Sequence, residues 1–452
     1  MAETVVPSSE KAIEIVHEED QKQIFDDDTG GILGASNEIV TFDPEVSRRV
    51  IRKYDRWLLP FFFLINLFCF IDRINIGNAR LLGLSTDLGL VVGLRYNIAL
   101  MCLFVSYCVV ELPANIACKK IGGHLWIPFL VFTFGLVTML TAVVESRGGL
   151  YAIRFVLGCL EGGISPGLVF LLAQFYRRRE LGFRLSVYSC AASASGAFGG
   201  LFAIALDKIP PWGMINTWRN IFFFEGLISI IIGAVGFYLI PAGPVEARFL
   251  SDDEKTVAVN RLRVDAAGTT EQGTKLKHVL QAMKSPHTLG CGLGFFFANS
   301  CAQTFSVFSP LIIAAMGYTD TRAQLLSVGP YATAATASVI LGYLSDKYKR
   351  RGIPIMCITP LAITGFFMLE FLPKDMPGAK YGALFLVAPG AYACLPIWLA
   401  WGVNNAATPT VRASATAVVY TLANLGGIVS PYACVYMFFI YFLRGNAQRS
   451  KL

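Results

Sequence analysis

Residues Trp57–Ile76 read WLLPFFFLINLFCFIDRINI, fourteen uncharged residues followed by Ile-Asp-Arg-Ile-Asn-Ile. Twenty residues at ~1.5 Å rise per residue match the ~30 Å hydrocarbon core of a bilayer. Lipid offers no partner to backbone N–H and C=O groups, so such a run crosses as a helix. An Asp-Arg pair near its end is costly in that setting and therefore points to a site rather than to a surface.

The same pattern repeats along the chain. Apolar runs occupy Tyr96–Ile116, Leu125–Val144, Leu150–Phe170, Leu185–Leu206 and Trp218–Ile240, then Leu289–Met316, Leu325–Leu344, Ile353–Leu372, Tyr381–Val403 and a last stretch from Ala413 to Leu443. Overall 54% of the 452 residues are hydrophobic and 15% charged, too little charge to coat a soluble domain of this size. Short alternating segments of the β-barrel kind are absent from the pattern. The expectation is an all-α integral membrane protein. It comprises a polar, acid-rich tail (1–50), a first bundle (51–240), a hydrophilic linker (241–286), a second bundle (287–443) and a basic tail (444–452).

The net charge of +7 does not indicate a nucleic-acid partner, because Lys and Arg gather in short clusters between apolar runs. Arg48, Arg49, Arg52, Lys53 and Arg56 precede the first run, and Arg177, Arg178, Arg179 and Arg184 flank the fifth. Together with the basic linker they put the N-terminus and the linker in the cytosol. The tail lacks a basic stretch followed by an apolar one, so no cleaved signal is expected. Ser251-Asp252-Asp253-Glu254 reads as a helix start within the linker. The 11 Cys are scattered singly, and the 4 His have no metal-ligand spacing, so no metal or cofactor is expected.

Ionisable residues inside the runs are Asp72, Arg73, Glu111, Arg154 and Glu161, with Glu225 closer to an interface. Arg154 and Glu161, seven apart, share a helix face about 10 Å apart along the axis. A buried carboxyl can take up and release a proton, and a buried Arg can hold a carboxylate through two hydrogen bonds. The same residues could equally be ion pairs that lock helices together.

Four stretches carry a family likeness. They are Phe70-Ile-Asp-Arg-Ile-Asn-Ile-Gly-Asn-Ala79; Tyr107-Cys-Val-Val-Glu-Leu-Pro-Ala-Asn115; Arg154-Phe-Val-Leu-Gly-Cys-Leu-Glu-Gly-Gly-Ile-Ser-Pro-Gly167; and Gly342-Tyr-Leu-Ser-Asp-Lys-Tyr-Lys-Arg-Arg-Gly352. From about residue 50 to residue 431 the chain resembles the major facilitator superfamily, and within it the anion:cation symporters of the fungal allantoate permease branch.

The resemblance implies a carrier of a small carboxylate such as allantoate, nicotinate or pantothenate, driven by proton symport and alternating access. It implies a monomer in the plasma membrane, with the proton as coupling ion. Asp72 and Glu161 match the proton-coupling positions; Arg73, Arg154, Tyr107 and Asn424 match the substrate-binding ones. Asp346 and Arg350 match a gating latch in a cytoplasmic loop. Family members have a twelfth span, whereas the run from Ala413 to Leu443 is too long for one crossing and too short for two. The second bundle is therefore expected to hold about five helices, and a non-transporting sensor, a truncated carrier or an exporter of a fungal metabolite is the alternative.

Overall fold

The computed structural model describes residues 31–33, 39–41, 43–213, 215, 217–266, 285–318, 320–348, 350–373, 376–404, 415 and 418–430. A short antiparallel pair, β1 (Gly31–Leu33) and β2 (Ile39–Thr41), precedes the helices. Then follow α1 (Pro44–Leu81), the single turn α2 (Leu84–Asp87), α3 (Arg95–Ile121), α4 (Gly123–Thr141), α5 (Arg147–Phe175), α6 (Arg178–Asp207) and α7 (Thr217–Leu239). The linker contains α8 (Asp252–Ala266). The second set is α9 (Pro286–Ala315), α10 (Asp320–Lys347), α11 (Gly352–Phe371), α12 (Pro377–Tyr392), α13 (Cys394–Asn404) and α14 (Val418–Ser430).

Every apolar run read from the sequence up to Val403 coincides with a helix, α12 and α13 together forming one crossing. Among the described residues, 8 helices are long and apolar enough to cross a membrane, or 9 counting α3, which bends by 52° around Pro113. A proline removes one backbone donor and crowds the preceding turn, which accounts for the bend. The last run is described only at 415 and in α14, so the expected shortfall in the second bundle lies outside the described residues, as does most of the N-terminal tail.

The helix starts follow local chemistry. Asp43 caps α1 by accepting from the Glu45 N–H at 2.8 Å, with Pro44 at the first helical position. Ser146 caps α5 through the Gly149 N–H at 3.1 Å. Gly122, at φ +95°, makes the turn between α3 and α4 that an L side chain would resist. At 38 residues, or about 57 Å, α1 overshoots the ~30 Å hydrocarbon layer. Its basic first turns therefore project beyond the apolar layer, and the helix starts at Pro44, inside the stretch assigned from sequence to the tail.

Within the first bundle, small residues set the helix spacing. A Cβ on Gly226 of α7 would collide with the Met139 backbone of α4, and one on Gly135 with backbone atoms around Ile230. At these points α4 and α7 touch backbone to backbone. Gly158 and Gly162 bring α5 equally close to Leu103 and Tyr107 of α3. The two sets of helices meet along α6 and α10, where Gly196 lies under the Tyr331 ring and Gly342 against Ser186. Large apolar side chains such as Phe129, Phe155, Phe237, Phe297 and Phe367 point outward, a surface suited to lipid.

The linker helix is bolted to the first bundle. Glu254, at the third helical position of α8, accepts from the Ser251 N–H at 2.9 Å and from Lys53 Nζ of α1 at 2.6 Å. Arg261 donates to Glu180 of α6 at 2.6 Å, while Arg177 Nε donates to the Arg261 carbonyl at 3.1 Å. Burial tends to raise the Glu254 pKa, but Lys53 and the Ser251 N–H outweigh it and hold this carboxyl below its ordinary range. Arg177 and Lys53, read from sequence only as markers of orientation, thus also have structural duties.

Candidate functional site

Two ion pairs cross between α1 and α5, deep in the first bundle. Arg73 Nε of α1 donates to Glu161 Oε1 of α5 at 2.8 Å, and Arg154 Nη1 of α5 donates to Asp72 Oδ2 of α1 at 2.8 Å. Each helix supplies one cation and one acid. Adjacent residues on α1 point about 100° apart and residues seven apart on α5 share a face, so two helices suffice to pose both pairs. All four side chains are buried, Asp72 completely. Satisfaction is incomplete: among the described residues, Asp72 Oδ1, Glu161 Oε2 and the Nε and Nη2 of Arg154 have no hydrogen-bond partner.

The Arg73 guanidinium sits among three rings, 5.1 Å from the centroids of Phe70 and Tyr107 and 5.5 Å from that of Phe104. Electron-rich faces stabilise the cation without neutralising it. Its other side opens on empty space. A small cavity of about 50 Å³ lies where the two bundles face each other, lined by Asn66, Arg73 and Tyr107 from the first bundle and by Asn299, Tyr420 and Asn424 from the second. Arg73 also lines two smaller crevices, the first of which it shares with Arg154.

Hydrogen bonds orient the polar lining. Asn66 Nδ2 donates to the Tyr188 carbonyl at 3.1 Å, and the Tyr188 hydroxyl donates back to Asn66 Oδ1 at 3.1 Å. Asn299 Nδ2 donates to the Ala423 carbonyl at 2.7 Å, and Asn424 Nδ2 to the Tyr420 carbonyl at 3.0 Å. The cavity thus combines one cation, amide and hydroxyl groups, and aromatic or aliphatic walls. Such a mixture suits a small anion with an apolar or hydrogen-bonding body.

Of the residues singled out from sequence, Asp72, Arg73, Arg154 and Glu161 form one cluster, and Tyr107 and Asn424 line the cavity beside it. The latch residues differ from the expectation. Asp346 pairs with Arg351, Nη2 to Oδ1 at 3.2 Å, whereas Arg350 is exposed. Arg350 belongs to the link between α10 and α11, and Arg351 directly precedes α11, which returns its side chain to the end of α10. Asp346 also closes on Gly182 of α6, so the pair sits where the two bundles touch.

Sequence reading passed over Asn66, Tyr188, Asn299 and Tyr420. The asparagines carry the signal that revealed the charged residues, a polar side chain inside an apolar run (Phe-Phe-Phe-Leu-Ile-Asn66 and Phe-Phe-Phe-Ala-Asn299). The tyrosines carry none, since aromatic residues abound in such helices. Glu225 accepts from Asn75 Nδ2 at 2.8 Å and is fully buried within the first bundle.

Residues 62–431 match the family model of the Major Facilitator Superfamily. Among relatives, the chain is 33% identical over 390 residues to an MFS-type transporter of Penicillium expansum, cnsO, covering 84% of this chain and 75% of that one. It is 32% identical over 396 residues to an uncharacterized transporter of Schizosaccharomyces pombe, covering 87% and 78%. Among solved structures, the proton:xylose symporter XylE superposes with a TM-score of 0.64 at 14% identity, over 85% of this chain and 89% of that one. A bacterial homologue of the lysosomal transporter Spinster, inward-facing and occupied, gives 0.61 at 16%, over 87% and 85%. These two share the fold. With the family match spanning most of its length, the chain belongs to the Major Facilitator Superfamily of membrane transporters.

Proposed function

We propose that this transporter carries a small organic anion, of the allantoate, nicotinate or pantothenate kind, together with protons. The supporting observation is that Arg73 faces the cavity between the bundles while bonded to an acid, Glu161, with which a substrate carboxylate would compete.

The chemistry follows from that competition. With Glu161 ionised, its charge occupies Arg73. Protonation of Glu161 removes the charge, and the guanidinium then takes the substrate carboxylate, which its planar fork fits through two parallel hydrogen bonds. Asp72 and Arg154 form a second pair of the same design one step deeper. Tyr107 and Asn424 border the body of the anion, one from each bundle, so binding favours their approach. Release of the proton restores the Arg73–Glu161 pair and expels the anion. Asp346 and Arg351 latch the bundles at one end during alternating access.

In this reading the protein works as a monomer in the plasma membrane, with its N-terminus and basic loops cytosolic, and the proton is the coupling ion. The test is uptake of labelled carboxylates at two external pH values by cells lacking their own carriers. Accumulation of at least one carboxylate that rises as the outside is acidified is the expected result. Confirmed surface expression with no pH-dependent uptake of any would sink the proposal.

A further inference from the structure

Glu111 of α3 takes no part in the two ion pairs, yet it is fully buried. Its Oε2 accepts from Thr421 Oγ1 of α14 at 3.2 Å, a contact between the two bundles; the Asn424 side chain of the same helix approaches the carboxyl as well, and Oε1 has no well-aligned hydrogen-bond partner among the described residues. No Lys or Arg forms an ion pair with it among the described residues. An ionised carboxylate in that setting would have only a hydroxyl and an amide beside it and no ion-pair partner for its charge, a heavy cost in the interior. The geometry therefore suits a neutral carboxylic acid. Separation of α3 from α14 would admit water, and water removes the reason for neutrality.

The charged and titratable groups around it are few. Tyr107 and Cys108 flank it on α3, Arg73 approaches from α1, and Tyr420 approaches from α14 beside Asn424. Glu161 of α5 is close enough to Tyr107 to interact with it electrostatically. Glu111 is also eight residues, or about 12 Å along the helix, from the Lys119–Lys120 end of α3.

We propose that Glu111 is a second proton site, separate from the arginine-paired acids, whose protonated form holds α3 against α14 through Thr421, so that closing the bundles on the Lys119–Lys120 side requires a proton there. Proton binding and bundle closure are then linked: whatever favours one favours the other by the same factor. The inference rests on the carrier reading, but it concerns a conformational equilibrium of the empty protein. It can be measured without any substrate.

The experiment uses the full chain with its native cysteines replaced, spin labels at Lys120→Cys and Lys347→Cys, and reconstitution in lipid nanodiscs without anion. Pulsed electron–electron resonance then gives the distance distribution across the bundle ends from about pH 5.5 to about pH 8.5. The expected result is a separated population that grows several-fold as pH rises. Glu111→Gln should abolish that growth and keep the ends together, while Glu111→Asp, still titratable, should keep a pH-dependent change. Thr421→Val, which removes the donor, should raise the separated fraction several-fold at the acid end. A Glu111→Gln protein whose distances follow pH as the parent's do would overturn the proposal, as would a parent with no pH response. Should Glu111→Gln fail to fold, an unaltered closed fraction in Thr421→Val overturns it equally. Absence of anion uptake with pH-dependent distances intact would instead refute the carrier reading and leave this one standing.

Discussion

Arg154 donates to Asp72 across 2.8 Å between α5 and α1, and both side chains are shut off from solvent. Desolvating two charges costs several kcal/mol each, and their mutual attraction recovers this only while both are present. Replacing Arg154 with Gln leaves the acid unmatched, so the protein should lose roughly 3–5 kcal/mol of stability. The double variant Asp72→Asn/Arg154→Gln should recover a large part of that loss. Thermal unfolding of the purified protein, followed by monodispersity in detergent, checks both; additive losses would mean the two side chains do not work as a pair.

Glu161 has a different task in the proposed cycle, since its partner faces the cavity. Glu161→Gln permanently mimics the protonated acid and frees Arg73. Uphill accumulation driven by a pH gradient should vanish, while exchange of external for internal anion continues at a reduced rate. Counterflow and gradient-driven uptake in the same vesicles separate the two, and equal loss of both would assign Glu161 to structure alone. Arg73→Lys replaces a planar fork with a point charge and should raise the KM for the anion about tenfold or more, a difference of ~1.4 kcal/mol.

Gly226 gives a purely steric test. Its missing side chain lets α7 touch the α4 backbone at Met139 and Gly135, atoms that cannot rotate aside. Overpacking typically costs ~1–3 kcal/mol, and here the helices themselves must part, so Gly226→Val should fall at or above the upper end. The yield of monodisperse protein measures it. The same substitution at Gly148, where a Cβ would meet no atom within 4 Å, should be tolerated far better.

The Lys53–Glu254 contact predicts a pH dependence whose sign is fixed. Glu254 has a folded-state pKa below its unfolded one, so the folded protein binds fewer protons there. The contribution is present above the ordinary carboxylate range and fades as pH falls through the lowered value. The Lys53 side chain is 39% exposed, so screening leaves only a modest effect, under ~1 kcal/mol. Glu254→Gln should thus melt slightly below the parent at neutral pH and together with it in acid.

The end of α10 offers a choice between two neighbours. Arg351→Ala removes the Asp346 contact and should alter transport rate, whereas Arg350→Ala, on an exposed side chain, should leave it within twofold. Initial-rate uptake distinguishes them.

Legibility in the sequence divides along physical lines. Helix positions were readable because burial in lipid demands about twenty apolar residues at a time, a constraint no local propensity overrides. Asp72, Arg73, Arg154 and Glu161 were readable because charge is expensive there. Their cross-pairing was not, because spacing along α5 places Arg154 and Glu161 on one face without saying which acid of α1 or α5 each cation meets. The partner of Glu225 was unreadable for a related reason: Asn75 reaches it from another helix, and only the setting of α7 against α1 brings the two together. Arg350 and Arg351 are adjacent, and only the backbone turn before α11 selects between them.

The reciprocal pairing of α1 with α5 also bears on energy supply. Each guanidinium is matched by one carboxylate, so the empty pairs carry no net charge for the membrane voltage to pull on. When a proton neutralises Glu161 and a monoanion takes its place on Arg73, the sum at that pair is still zero. A cycle built on this exchange alone is driven by the pH gradient and the anion gradient, and is indifferent to voltage. Each additional proton carried, at Asp72 or at Glu111, would add one charge and hence about 2.3 kcal/mol of work per 100 mV.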